Sequence, residues 1–226
     1  MNKISKILSL VLLSFSLGTL ALADVKMGIS YGAIDMSPSA KEEKFNAAAV
    51  DHPADSEDVI VPMGSIFIEK DFGLLSIGVD IVPYDLESEE LNNDRNANGR
   101  GAANPSEADT TNAKVKVSIE TPVMIYALLQ NDAGAFVRVG ASQANVATEE
   151  TTPTGSTYPN ADIYGGHVSF GVERGFGSND LAFRIEGGYS GYTNVTVVND
   201  QTARPTKIHV NDMDGFTAKV SILKTF

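Results

Sequence analysis

His167 and Ser169 stand two residues apart, and Glu186 follows seventeen residues after the serine. These side-chain types can transfer an acyl group when the histidine reaches the serine oxygen and the acid orients the histidine. Residues two apart on a strand share a face, so the spacing permits that contact. Matching faces of other strands carry a larger ionisable set: Asp80, Lys116, Glu120, Arg138, His167, Glu173, Arg184, Glu186 and Lys219. Charges of both signs shut away from water must pair, because breaking a buried pair costs about 3–5 kcal/mol. Pairing across the turn 176–180 sets Glu186 opposite Ser169 and Arg184 opposite Gly171, with Glu173 and Glu186 both beside Arg184. Such a network either fills an interior statically or rearranges to pass small ions.

A second pattern is Asp94-Arg95-Asn96-Ala97-Asn98-Gly99, the first half of a calcium loop with oxygen ligands at alternate positions and glycine at the bend. Its twelfth position, where a bidentate acid must close the site, holds Pro105, and Arg95 sits among the ligands. Asp94, Asn96 and Asn98 are therefore a weak metal candidate, and no metal or other cofactor is expected. The chain has no cysteine, which excludes disulfides, thiol catalysis and thiolate metal sites.

The elements that must position these residues are strands. Val25, Met27, Ile29, Tyr31 and Ala33 alternate with Lys26, Gly28, Ser30 and Gly32. Period-two patterns recur over 75–81, 114–129, 135–142, 164–173, 181–189 and 216–226. A stretch over 59–69 is blurred by Pro62 and by Ile66-Phe67-Ile68. The count is eight. The connections alternate between long polar segments (35–58, 85–113, 148–161, 194–211) and short turns (70–73, 131–134, 176–180). An even strand number, strands of about ten residues and this asymmetry describe an antiparallel transmembrane β-barrel with short periplasmic turns and long extracellular loops. The fold class is all-β. A soluble sandwich also alternates, but the small and charged residues suit a narrow interior and the bulky ones suit lipid.

The ends and the composition agree with export. Lys3 and Lys6, the apolar run 7–17 and Ala21-Leu22-Ala23 form a cleavable signal over 1–23, leaving 24–226 as one barrel domain. Loss of the two lysines takes the net charge from -12 to -14, which disfavours nucleic acid. Only 42% of residues are hydrophobic, low for membrane helices but natural where alternate residues face lipid. Phe216, Val220, Ile222 and the final Phe226 share one face of the last strand and are read as a barrel-assembly signal.

The alternation, the stretch Phe183-Arg184-Ile185-Glu186-Gly187-Gly188-Tyr189 and the terminal Phe226 resemble the small eight-stranded outer-membrane barrels of Gram-negative bacteria. That group contains the OmpA transmembrane domain and the opacity-type surface proteins. The chain departs in having no tryptophan, so interfacial anchors must be tyrosine and phenylalanine. The resemblance implies an outer-membrane location and contact with outer-membrane lipid and lipopolysaccharide. It also implies insertion by the barrel-assembly machinery through the last strand, and a possible extracellular ligand of the loops. The His167/Ser169/Glu186 face is the lumen, whereas a lipid-processing site must meet lipid. The expected role is therefore structural or surface-interacting and non-enzymatic, with a small porin gated by luminal ion pairs as the alternative.

Overall fold

The computed structural model describes residues 24–44, 55–56, 58–87, 91–93, 113–151, 157–177, 180–200 and 206–226; residues 40–44, 55–56, 87, 91–93, 113–117, 148–151 and 206 are described by backbone alone. In chain order the strands are β1 (Val25–Met36), β2 (Ser39–Lys44), β3 (Asp55–Ser56), β4 (Val59–Asp71), β5 (Leu75–Ile81), β6 (Leu86–Glu87), β7 (Leu91–Asn93), β8 (Ala113–Gln130), β9 (Ala135–Thr151), β10 (Ala161–Gly175), β11 (Leu181–Tyr192), β12 (Val195–Val198), β13 (Thr206–Asn211) and β14 (Asp214–Thr225).

Eight of them close a barrel. Antiparallel ladders run β1–β4–β5–β8–β9–β10–β11–β14, and β14 returns to β1. Closure leaves no open sheet edge, the condition for strands in hydrocarbon, which offers backbone groups no partner. The outer wall presents Ile29, Ile66, Leu129, Val139, Phe170, Ile185 and Val220, with Ile29 62% and Phe170 64% exposed. A continuous apolar belt of that extent belongs in a bilayer rather than in water. Short turns gather at one end with Val25, near the first described residue, and Phe226. Phe72 N–H bonds Leu75 O, Gly134 N–H bonds Asn131 O, and Phe226 N–H bonds Val25 O at 2.8–2.9 Å.

At the other end the structure departs from the expected loops. Segments 35–58 and 194–211 contribute a four-stranded sheet of order β12-β13-β2-β3. Val195, Val197 and Met213 pack there with Ala144 and Ile163 from the ends of β9 and β10. Strand β9 runs to Thr151, nine residues past its expected end at 142, and β6 and β7 extend the barrel sheet beside β8. Burial of this apolar cluster is what holds a polar stretch in sheet form.

One irregularity changes a facing. Between Glu120 and Val123 the β8–β9 register shifts, and Thr121 adopts φ +40°. The bulge inserts a residue, so β8 reverses its faces. Below it Met124, Tyr126 and Leu128 point inward, while above it Ile119 packs against the apolar cluster at the outer end. Glu120, expected in the lumen, therefore lies on the opposite face, paired with Asn145.

Candidate functional site

The interior is filled by two layers of paired charge separated by aromatic rings. Near the short-turn end, Arg184 and Glu69 are both wholly buried and meet in a two-pronged contact: Arg184 Nη1 donates to Glu69 Oε2 at 2.8 Å and Nη2 to Oε1 at 2.6 Å. Arg184 Nε donates to Glu173 Oε2 at 2.6 Å. Lys26 Nζ completes the layer, 3.2 Å from Glu173, 2.9 Å from Asp71 and 4.0 Å from Glu69, with Gln130 at 3.4 Å. Cation and acid alternate round a closed ring, Lys26–Glu173–Arg184–Glu69.

A second ring lies nearer the opposite end. Arg138 sits 3.1 Å from Glu186, Glu186 is 3.0 Å from Lys219, Lys219 is 2.7 Å from Asp80, and Asp80 is 3.8 Å from Arg138. The paired strands bring these groups together: Glu186 faces Lys219 across β11–β14, and Glu173 faces Arg184 across β10–β11. Charges placed this way neutralise each other where water cannot.

Between the rings lie Phe67, Tyr126 and Phe136. Each packs over a glycine directly opposite it on the next strand: Gly28, Gly78 and Gly171 respectively. A Cβ at those glycines would fall 2.4–2.5 Å from the aromatic atoms, so only glycine leaves the rings room. Tyr126 ties the layers together. Its hydroxyl donates to Glu69 Oε2 at 2.9 Å, and its face receives the Arg138 guanidinium 4.4 Å from the ring centroid. Arg184 lies 5.4 and 5.5 Å from the Phe67 and Phe136 centroids. Cations over aromatic faces gain a further attraction that strengthens on desolvation.

No protein-family model matches the chain, and no curated protein does. Among solved structures, the outer membrane protein OprG from Pseudomonas aeruginosa superposes with a TM-score of 0.56 at 10% identity, covering 90% of this chain and 96% of that one. The fold is that of a small outer-membrane β-barrel. Weaker likenesses are Ail of Yersinia pestis in complex with the heparin analogue sucrose octasulfate (TM-score 0.40, 6% identity, 87% and 99% covered) and the outer membrane protease OmpT of Escherichia coli (0.42, 10%, 92% and 99%).

Within this outer-membrane barrel, Asp80, Arg138, Glu173, Arg184, Glu186 and Lys219 are brought together in the rings. Their partition differs from the expected one. The β10–β11 register places Arg184 opposite Glu173 and Glu186 opposite Gly171, two residues from the expected pairing. A slip of two keeps every side chain on its face but changes its partner. Arg184 therefore takes Glu69 and Glu173, and Glu186 turns to Arg138 and Lys219. His167 Nδ1 lies 2.8 Å from Ser190 Oγ, while Ser169 Oγ donates to Glu186 Oε2 at 3.4 Å. The histidine and Ser169 thus hold different partners. The Lys116 side chain and the weak metal candidate Asp94, Asn96 and Asn98 fall outside the described residues. Phe216, Val220, Ile222 and Phe226 all face outward from the wall or its lower rim.

Sequence reasoning missed Lys26, Glu69, Asp71, Tyr126 and Gln130. Lys26 carried a signal, since it lies on the polar side of β1's alternation. Glu69 was hidden because Phe67, two residues before it, faces inward with it and makes that side read as apolar.

Proposed function

We propose that this barrel is a surface protein of the outer membrane, structural or partner-binding, that performs no catalysis. One observation carries the reading: two ion rings with an aromatic layer between them cross the lumen, and the sheet β12-β13-β2-β3 lies beyond them at the outward end, where it can meet a partner. Residues 1–23 are its cleaved export signal. Outer-membrane lipid and lipopolysaccharide are its surroundings, and the assembly machinery reads its last strand through Phe216, Val220, Ile222 and Phe226. Planar-bilayer recording on the refolded barrel tests this. The parent should be silent, and steady conductance that changes with Arg184→Ala would replace the surface role by a pore.

That alternative, a small pore gated by luminal ion pairs, has one feature in its favour. Arg138 is fully buried, yet its Nε and Nη2 have no hydrogen-bond partner. Its contact to Asp80 is also the longest in the upper ring, 3.8 Å. A guanidinium with unspent donors can exchange partners at lower cost than Arg184 can.

A further inference from the structure

From the short-turn end upward, the inner face of β9 carries Phe136, Arg138, Gly140, Ser142, Ala144 and Val146, since residues two apart share a face. The aromatic layer and the upper ring are thus followed by a cavity of about 90 Å³, which Ser142, Ser190 and Thr217 help to line, and then by apolar side chains. On those side chains lies the outer sheet. Val195 and Val197 of β12 are buried against Ala144 and Ile163, and Ile208 and Val210 of β13 pack beside them. The sheet therefore folds across the mouth of the barrel. Tyr192 lies between sheet and cavity, lining the one and packing against the cluster of the other.

Its attachment is one-sided. Two-residue joints tie it to the barrel: Ser37-Pro38 from β1 to β2, Thr193-Asn194 from β11 to β12, and Asp212-Met213 from β13 to β14. All of these leave from the same end of the sheet, because Ser39 pairs with Asn211 and Val195 with Val210. At that end Thr193 N–H donates to Tyr164 O at 2.8 Å, and Tyr164 N–H donates to Thr193 Oγ1 at 3.2 Å. At the far end Asp200 clasps Thr157. Asp200 N–H donates to Thr157 O at 3.0 Å, and the carboxylate accepts from Thr157 N–H at 3.1 Å and from its hydroxyl at 3.2 Å. Among the described residues β12 forms a ladder with β13 alone. We infer that the outer sheet is a lid, hinged on these joints and latched by Asp200 on Thr157, whose opening exposes the cavity above the upper ring to the medium. Short joints at strand ends are where a hinge absorbs its rotation. The latch is exposed, so water competes for its bonds and lets it release, while burial of the apolar face draws the lid shut. The swing leaves both ion rings in place, so a conducting barrel would refute the surface role without touching the lid.

The chain has no cysteine, so a single introduced thiol reports on its own position. Thr217→Cys places one on the cavity wall, and Thr196→Cys places one on the outer face of the sheet. Each is reacted in lipid nanodiscs with a cationic methanethiosulfonate, which the apolar belt excludes. The cavity thiol should react at least tenfold more slowly than the outer one. Adding Asp200→Ala removes two bonds of the latch and should speed the cavity thiol about tenfold, leaving the outer one unchanged. Asp200→Asn, whose amide oxygen still accepts from Thr157 N–H, should stay near the parent. Hydrogen exchange along the β12–β13 ladder should not respond to Asp200→Ala, because a lid swings as a body. Equal rates for the two thiols would mean that the cavity is not covered. No effect of Asp200→Ala would mean that Asp200 latches nothing, and ladder exchange rising with the labelling would mean that the sheet melts. Each of these results would overturn the lid.

Discussion

Replacing Arg184 by alanine should be among the most damaging single changes in the barrel. Arg184 and Glu69 have no exposed surface, and the arginine supplies both prongs to Glu69 and a third bond to Glu173. The lower ring holds two cations, Lys26 and Arg184, against three acids, Glu69, Glu173 and Asp71. Its net charge is 2 − 3 = −1, and without Arg184 it becomes 1 − 3 = −2 around a single lysine. Removing one partner of a buried pair costs about 3–5 kcal/mol, because the other charge stays buried and uncompensated. Urea unfolding in lipid vesicles followed by far-UV circular dichroism would read this directly; the chain has no tryptophan to report by fluorescence. Adding Glu69→Gln should return part of the loss, since it removes one stranded acid. A loss below about 1 kcal/mol for Arg184→Ala, or strict additivity with Glu69→Gln, would refute the ring as a coupled unit.

Other outcomes follow from packing. Gly215→Ala should abolish heat-modifiable folded protein on gels, because its Cβ would lie 1.9 Å from the Asp35 carbonyl oxygen, while Gly187→Ala, with 3.8 Å to the nearest atom, should fold normally. Thr121→Gly should leave stability unchanged or raise it by about 1 kcal/mol, since φ +40° strains threonine and not glycine; chemical denaturation checks the sign. Val197→Asp buries a charge in the outer apolar cluster. Trypsin should then cut faster at Lys207 while the barrel remains heat-modifiable.

The barrel was legible because period two is a strong signal wherever one face meets lipid, as in Val220 and Ile222 against Lys219 and Ser221. The partners within the lumen were not. Which acid meets Arg184 depends on register to within two residues, and a two-residue slip leaves the alternation unchanged. Phe67 and Tyr126 face inward because glycines across from them make room, a pairwise fact that one strand's pattern does not contain. Glu120 was misplaced because a bulge resets the phase of β8, although Pro122 in mid-strand marked the spot. The outer sheet escaped notice because β12 has only four residues and its support comes from distant Ala144 and Ile163.

The length of the β8–β9 hairpin sets a height. Strand β8 has eighteen residues and β9 seventeen, whereas a tilted strand crosses hydrocarbon in about nine to eleven. The outward apolar positions Ile125, Ala127 and Leu129 place the crossing below the bulge, so nine residues, 113–121, stand clear of it. At about 3.3 Å per residue, less the tilt, they reach some 20–25 Å beyond the acyl chains. A partner approaching from outside would first touch the protein at that height above the acyl chains, and the ladder of backbone bonds beneath would carry any pull straight down into the wall.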